Sequence, residues 1–306
     1  MVSLFVIILL LILSQVINLS YVEQDTILDA HELYFYSEMV QSWGAPPDTL
    51  KMLEDIKTLL WFLKKGPKFY ATMFTLIYRK FRVDRDSLAH KEKEKEWCNA
   101  HKISLEDCLA KLEFSLSDES VFTDEYIKNI EKKISNSDSN FGGQGHINLL
   151  YAICENLEAE RVLETGVAYG WSSAAILKSI SKRSGNLVSV DMPMIKQADY
   201  HLIGTAVENK YLQYWELLRQ PDKFGLTKAI KKLNYKLDLA HYDSDKSYYG
   251  RRWSQPIIWK YIRKGGIFIS DDIEDNAAFR EFVTENQLEF SVLEFEGKYV
   301  GVLKKH

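Results

Sequence analysis

Two groups of aspartates are the residues of this sequence best suited to chemistry. Asp243 and Asp245 follow the apolar run LDLAHY, and Asp271 and Asp272 follow the apolar run IFIS. If these runs are neighbouring parallel strands, the carboxylates meet at one edge of a sheet and repel one another unless a cation lies between them. Mg²⁺ prefers oxygen ligands and can lower the pKa of a bound hydroxyl, while a nearby carboxylate takes the proton. The pattern predicts a magnesium site that activates a hydroxyl group.

Two alternative roles for these aspartates stay open. The Asp-x-Asp pattern also marks metal-nucleotide sites of glycosyltransferases. Asp271 and Asp272 could instead cap the helix that is predicted to begin near Ala277, because aspartate commonly accepts hydrogen bonds at helix starts.

The stretch RVLETGVAYGWSS, residues 161–173, predicts a second binding site. An apolar run typical of a buried strand comes first, and helical spacing of apolar residues begins at Trp171. Between them, Gly166 and Gly170 allow a sharp turn and a close approach of the backbone to a ligand. The alternative is a strand–helix turn whose glycines serve packing alone.

The type of ligand follows from the acids around this turn. The glycines lack the G-x-G-x-x-G spacing by which dinucleotide sites admit a pyrophosphate. Glu164, two residues before the first glycine, suits a positively charged amino group instead. Asp191 follows the run NLVSV and is placed to accept hydrogen bonds from ribose hydroxyls. An adenosyl amino acid fits both features, so we predict S-adenosylmethionine (SAM) as cofactor, with Tyr169 and Ser172 among its contacts.

These residues resemble those of the class I SAM-dependent methyltransferases. Glu164, Gly166 and Gly170 stand in the places of their first motif, and Asp191 stands in the place of the acid after their second strand. The resemblance implies the methyltransferase fold, with SAM bound at this turn.

Within that class, the downstream sequence resembles the metal-dependent O-methyltransferases, which include catechol-type enzymes and enzymes acting on sugar hydroxyls of natural products. Their signature Asp-Gly-Asp-His-Ser-Tyr is followed by a Gly-Gly strand that ends in Asp-Asp. The matching positions here are Asp243, Asp245, Ser247, Tyr248, Gly265, Gly266, Asp271 and Asp272. The resemblance runs from about residue 143 to the C terminus. It implies Asp243, Asp271 and Asp272 as metal ligands and Asp245 as general base.

The sequence departs from that pattern in two places. Lys246 stands where the histidine is usual, so we expect it either to share the catalytic proton transfer or to pair with Asp245. The predicted third strand also lacks a clear acidic partner for the adenine amino group, for which Gln220 or Asp222 are the candidates.

The remaining sequence predicts the elements that position these residues. Helices are predicted at 196–211 and 227–233, and strands at 214–218, 237–242 and 267–270. The sequence FSVLEFEGKYVGVLKK closes the chain as a hairpin. This order predicts an α/β fold with a doubly wound, mostly parallel seven-stranded sheet, an antiparallel C-terminal hairpin and a helical N-terminal region.

Residues 1–22 form an apolar N-terminal segment. Ten consecutive apolar residues begin at Leu4, and no Lys or Arg precedes Lys51. The length marginally suffices to span a bilayer, and the missing basic residues disfavour a cleaved secretion signal. A membrane anchor or membrane-lying helix is therefore predicted, with a buried helix as the alternative.

A basic and aromatic segment at residues 57–83 strengthens the membrane prediction. It carries seven basic residues, seven aromatic residues and no acidic residue. Such a composition suits an interfacial helix, although an amphipathic helix pair packed on the protein is the alternative. We predict a helical region at 23–120, a methyltransferase domain at 121–306 and a location on the cytoplasmic side of a membrane. The acceptor is then a small molecule or a lipid-linked glycan.

Composition narrows the remaining possibilities. A net charge of −4 gives no reason to expect nucleic acid, and three scattered cysteines, Cys98, Cys108 and Cys154, predict neither a disulfide framework nor a zinc site. Two rival functions stay open. One is a non-catalytic SAM-fold module, suggested by Lys246. The other is a Rossmann-type oxidoreductase, which the missing third glycine disfavours.

Overall fold

The structure is a computed structural model that describes residues 61–62, 69, 85–116, 120–135, 141–193 and 200–306. The chain divides into two compact units, Met1–Met73 and Phe74–His306. The candidate site residues all lie in the second unit.

Helices and strands alternate through most of this second unit. The α-helices are α1 (Leu88–His101), α2 (Leu105–Leu112), α3 (Asp124–Ile134), α4 (Ile147–Asn156), α5 (Trp171–Ile180), α6 (Asp222–Lys232), α7 (Tyr248–Tyr261) and α8 (Ala278–Glu285). The strands are β1 (Arg161–Thr165), β2 (Asn186–Val190), β3 (Trp215–Leu218), β4 (Leu237–Tyr242), β5 (Ile262–Ser270), β6 (Ser291–Phe295) and β7 (Lys298–Lys304).

These strands form a seven-stranded sheet in the described part of the chain, in the order β3-β2-β1-β4-β5-β7-β6. The first five strands of that order are parallel, and β7 is antiparallel to both of its neighbours. The strand order reverses between β1 and β4, where open sheets of this kind bind ligands beyond the carboxyl ends of their strands. The predicted fold class is confirmed.

Both faces of the sheet are covered, which explains why its central strands are apolar. All six residues of β4 are buried. Helices α4 and α5 pack on one face, and α6, α7 and α8 contribute to the core on the other. A strand that is buried on both faces reads as a continuous apolar run rather than an alternating one.

One predicted element is wrong. Residues 196–211 were expected to form a helix, but the described part of that range holds short 3-10 turns, Tyr200–Leu202 and the start of Asn209–Tyr214. Gly204 lies between them with φ of +75°, and its carbonyl accepts from the N–H of Val207 in a turn. A left-handed residue at this point ends a helix, so the apolar spacing alone was misleading.

Helices α1 and α2 pack against the sheet. The N–H of Ile103, between the two helices, donates to the carbonyl of Val292 at 2.9 Å and so adds to the β6 edge. The buried Glu94 of α1 accepts two hydrogen bonds of 2.7 Å from Arg280 of α8. The division at 22/23 and 120/121 stays a prediction.

The two sequence segments predicted to meet a membrane lie mostly outside the described residues. Within the first unit, Trp61, Phe62 and Phe69 form one aromatic cluster with ring centroids 5.1–6.3 Å apart. In the described part of the chain, no helix has the length and apolar character needed to cross a bilayer.

Candidate active site

The turn between β1 and α5 lies directly against the end of β4. Gly166 adopts φ of +80°, and its N–H donates to the carbonyl of Val190 at 2.9 Å. A Cβ at this glycine would lie 2.2 Å from the carbonyl oxygen of Asp243, closer than any side chain can come. Gly170, with φ of +84°, caps α5. The two predicted sites therefore share one edge of the sheet.

Glu164 is predicted to bind the cofactor, and the structure buries its carboxylate completely. Three serine hydroxyls donate to its two oxygens, each at 2.6 Å: Ser172 to Oε1, and Ser173 and Ser189 to Oε2. This arrangement ties β1, β2 and the first turn of α5 together. The carboxylate thus fixes the shape of the glycine turn, while its direct contact with the amino group of SAM stays a prediction.

Asp191 lies at the end of β2 and contacts Arg219, which follows β3. The backbone N–H of Val167 in the glycine turn also donates to the carboxylate. Burial raises the pKa of Asp191, although Arg219 and this hydrogen bond oppose it. Sequence reasoning missed Arg219. A basic residue at the end of the neighbouring strand was the available signal.

Tyr169 and Ser172, the other predicted cofactor contacts, are both in the turn region. The Tyr169 side chain is buried, and its ring lies 5.0 Å from that of Phe141. Ser172 donates to Glu164 as described above, so both residues shape the turn. Their contact with SAM stays a prediction.

The predicted metal ligands come together, but Lys246 lies among them. Its Nζ is 2.9 Å from Asp243 Oδ1 and contacts Asp272 Oδ2. Lys298 Nζ lies 3.2 Å from the other oxygen of Asp272. Burial lowers the pKa of Lys246, but Asp243 and Asp272 outweigh it and raise the pKa overall. The ammonium group therefore stays charged across the physiological range.

The third carboxylate, Asp271, is paired with His241 of β4. Nε2 of the histidine lies 3.3 Å from Asp271 Oδ2, and Nδ1 lies 3.8 Å from Glu164 Oε1. Burial lowers the pKa of His241, but Asp271 and Glu164 outweigh it and raise the pKa well above its ordinary value. Sequence reasoning missed His241. It stands two residues before Asp243, on the same face of the strand, in an otherwise apolar run.

The arrangement of the three predicted metal ligands does not fit a divalent cation. The oxygens are of the type that Mg²⁺ prefers. However, the ammonium of Lys246 lies between Asp243 and Asp272, and His241 neutralises Asp271. Among the residues the structure describes, no group of three His, Cys, Asp or Glu side chains is arranged to hold a metal ion. The carboxylates already have cationic partners from the chain itself.

Asp245, the predicted general base, is turned towards the start of α7. Its Oδ1 accepts from the N–H of Ser247 at 3.2 Å and from the Ser247 hydroxyl at 2.7 Å. A Cβ at Gly250 would lie 2.3–2.6 Å from this carboxyl group, so only glycine leaves room for it. Burial raises the pKa of Asp243 to about 6, with Asp271 adding to the effect. Asp243 thus has a pKa suited to a base near neutral pH, and the role of Asp245 stays a prediction.

Asp222, a candidate for the adenine contact, instead lies beneath the loop after β4. Ser244 Oγ donates to its Oδ2 at 2.5 Å, and the Tyr242 hydroxyl lies 3.5 Å away. Burial raises the pKa of Asp222 to about 6. The other candidate, Gln220, accepts from Lys228 at the exposed surface.

Because the folded pKa of Asp222 exceeds its ordinary value of about 4, the folded state loses stability as the pH rises from about 4 to about 7. We expect Asp222→Asn to remove this loss. Relative to the wild type, the variant should gain up to ~3 kcal/mol between pH 4 and pH 8, since one pKa unit corresponds to about 1.4 kcal/mol. Urea denaturation at both pH values measures the difference. A difference that does not change with pH would exclude this role for Asp222.

Arg251 of α7 holds the loops after β4 and β5 in place. It is almost fully buried and donates to Ser270 Oγ at 2.9 Å, to the carbonyl of Asp272 at 3.0 Å and to the carbonyl of Lys246 at 3.3 Å. Asn276 donates to the same Lys246 carbonyl at 2.8 Å. These hydrogen bonds therefore hold the backbone of the two loops that carry the candidate catalytic residues.

A cavity of about 560 Å³ lies between the start of α2 and the end of β6. Its lining includes the polar side chains Lys102, Ser104, Asp107, His146, Asn148 and Glu294. His146 and Phe295 form an aromatic pair in its wall, 4.7 Å apart. Burial lowers the pKa of His146, while the negative charges of Asp271 and Asp272 oppose it. His146 therefore lies in the cavity wall and within electrostatic range of these two aspartates.

The comparisons with known proteins agree with this geometry. Residues 163–273 match the family model of a methyltransferase domain. No curated protein sequence matches the chain. Among solved structures, an O-methyltransferase from Bacillus cereus in complex with SAH is similar at 15% identity, covering 62% of this chain and 94% of that one with a TM-score of 0.50.

Two further structures are similar over a comparable range. The O-methyltransferase TomG from Streptomyces achromogenes, in complex with SAM, has 13% identity and a TM-score of 0.44, covering 62% of this chain and 92% of that one. A methyltransferase from Geobacter sulfurreducens has 13% identity and a TM-score of 0.46, with 67% and 98% covered. Together, the matched region and the strand order show that residues 163–273 are similar to a methyltransferase domain and that the sheet has the class I methyltransferase fold.

Proposed function

We propose that this domain transfers the methyl group of SAM to a hydroxyl group of a polar small molecule such as a sugar. The observation that carries the proposal is the contact between the two sites. The glycine turn of the predicted cofactor site lies against Asp243, the first residue of the carboxylate cluster. A methyl donor at the turn and an acceptor oxygen at the cluster are then neighbours, which is the arrangement that in-line transfer needs.

The chain supplies groups for each part of this reaction. SAM provides an activated methyl group. The carboxylate of Asp243 is placed to take the hydroxyl proton, and the ammonium of Lys246, 2.9 Å from it, stabilises negative charge on the acceptor oxygen. The oxygen forms its bond to the methyl carbon as the carbon–sulfur bond breaks, so that S-adenosylhomocysteine and one proton are released.

The cavity that His146 lines supports a polar acceptor. Its polar lining can hydrogen-bond several hydroxyl groups, and Phe295 presents an aromatic ring at its wall. Ligand sites usually combine such an apolar surface with a few converging polar groups.

The predicted magnesium ion is supported by the aspartate pattern alone, and the placement of Lys246 and His241 among the carboxylates does not fit it. Two other finer parts of the sequence prediction stay predictions, the attachment to a membrane and a lipid-linked acceptor. Their support is the apolar residues of 1–22 and the basic residues of 57–83. The location on the cytoplasmic side of a membrane depends on the same two segments.

The test is transfer of labelled methyl from SAM to a panel of sugars and simpler alcohols by the full chain. We expect methyl ethers as products. Phe295→Ala should raise the KM for the acceptor severalfold and leave the KM for SAM unchanged, because Phe295 lines the cavity proposed for the acceptor and is not part of the glycine turn. Tyr235→Ala, at an exposed position after α6, is the control for a change of aromatic content.

The two rivals predict other results. A non-catalytic module binds SAM and transfers no methyl group to any acceptor. An oxidoreductase binds a reduced nicotinamide instead of SAM. Methyl recovered only on nitrogen or sulfur would contradict the hydroxyl acceptor.

A further inference from the structure

The chain supplies a cationic partner for each carboxylate at the reacting edge of the sheet. Three carboxylates, Asp243, Asp271 and Asp272, lie there. Each is within 3.3 Å of a cationic nitrogen of the chain, supplied by Lys246 or His241. Repulsion among the carboxylates, which was the reason to predict a metal, is therefore already offset.

Lys246 is held in this place by its backbone as well as by its charge. Its carbonyl accepts hydrogen bonds from the buried Arg251 and from Asn276, at 3.3 Å and 2.8 Å. The following residue, Ser247, begins α7 as its N-cap. The side chain therefore starts from a fixed point, and little freedom is lost when it makes both contacts.

We propose that the ammonium group of Lys246 takes the place that a divalent cation would have between Asp243 and Asp272, so that methyl transfer needs no metal ion. The inference rests on the proposed function, because it identifies the Lys246 ammonium as the cation that takes part in the proposed methyl transfer. The lysine stays protonated throughout and donates a hydrogen bond to the acceptor oxygen. The hydroxyl proton passes to the Asp243 carboxylate as the oxygen–methyl bond forms and the carbon–sulfur bond breaks.

The substitution changes which acceptors the site can use. A divalent cation can bind two neighbouring hydroxyl oxygens of one acceptor at once. A single ammonium group is a point charge that need engage only one acceptor oxygen. The site therefore does not require two neighbouring hydroxyl groups, and an acceptor with one isolated hydroxyl can also react.

Metal binding and metal dependence test the proposal on the full chain. We expect the wild type to bind no Mn²⁺ in calorimetry and to transfer methyl at the same rate with and without EDTA. Lys246→Ala leaves the carboxylates without their shared cation. This variant should bind Mn²⁺, and in EDTA its transfer rate should fall by about 10²-fold or more, the usual cost of removing one group that stabilises an oxyanion.

Two further variants distinguish an effect of the charge at position 246 from an effect on folding. Lys246→Arg keeps a cation at this position and should bind no Mn²⁺. Lys91→Ala removes a lysine that pairs with Asp275 outside the cluster, and should behave as the wild type. Thermal denaturation of each variant shows whether it is folded.

Stoichiometric Mn²⁺ binding by the wild type, with transfer abolished by EDTA, would overturn the proposal. So would a Lys246→Ala variant that is folded, binds no Mn²⁺ and transfers methyl at the wild-type rate. If no acceptor is methylated although SAM binds, the proposed function fails. The Mn²⁺ titrations then still decide whether Lys246 holds the place of the ion.

Discussion

Replacing Arg251 with methionine is expected to lower the free energy of unfolding by about 3 kcal/mol. The guanidinium is almost fully buried, and it satisfies one hydroxyl and two backbone carbonyls in the loops after β4 and β5. A buried acceptor that loses its donor costs about 1–3 kcal/mol, and methionine supplies none. The volume is nearly kept, so the loss reports on hydrogen bonding more than on packing.

Arg252 provides the matched control for this prediction. It is the next residue of α7, and its guanidinium pairs with Glu285 at the exposed surface, 2.6 Å away. Arg252→Met should cost less than about 1 kcal/mol, as exposed ion pairs usually do. Urea denaturation of both variants measures the difference. Equal losses would show that the buried hydrogen bonds of Arg251 do not stabilise the site.

Replacing Gly166 with alanine is expected to have the second large effect. The new methyl group would lie 2.2 Å from the carbonyl oxygen of Asp243, and the backbone φ of +80° is itself unfavourable for alanine. The turn must then move away from the end of β4, which separates the cofactor site from the carboxylate cluster. We expect SAM affinity to fall at least ~10-fold, a free-energy loss of about 1.4 kcal/mol or more.

Gly143→Ala is the control for the loss of a glycine. At that position a Cβ would approach Glu296 Oε2 no closer than 3.9 Å, so the methyl group fits. Calorimetry with SAM and thermal denaturation of both variants give the comparison. If Gly166→Ala binds SAM as the wild type does, the glycine turn is not the cofactor site.

Local sequence patterns predicted most of the fold because each element carries its own signal. The strands after residue 160 are short apolar runs, and the glycines mark the turn where the backbone takes positive φ. Residues 196–211 show the limit of this reasoning. Their apolar spacing suits a helix, but the position of Gly204 against the ring of Trp215 decides the conformation, and that contact is tertiary.

The sequence predicted which residues form the candidate site, but it did not predict the ion pairs between them. The sequence placed Asp243, Asp271 and Asp272 together because strand ends meet at a sheet edge. It did not show that Lys246 turns back between two of them, since that depends on side-chain geometry around a loop. His241 was missed for a related reason, because a histidine inside an apolar strand resembles a core residue until its neighbour Asp271, which follows β5, is known.

Titration of SAM into the purified full chain, followed by calorimetry, is the decisive measurement for the cofactor site. We expect binding of one SAM per chain with no added metal ion, weakened in Gly166→Ala and unchanged in Gly143→Ala. A folded wild-type chain that binds no SAM would contradict the assignment of the turn between β1 and α5 as the cofactor site.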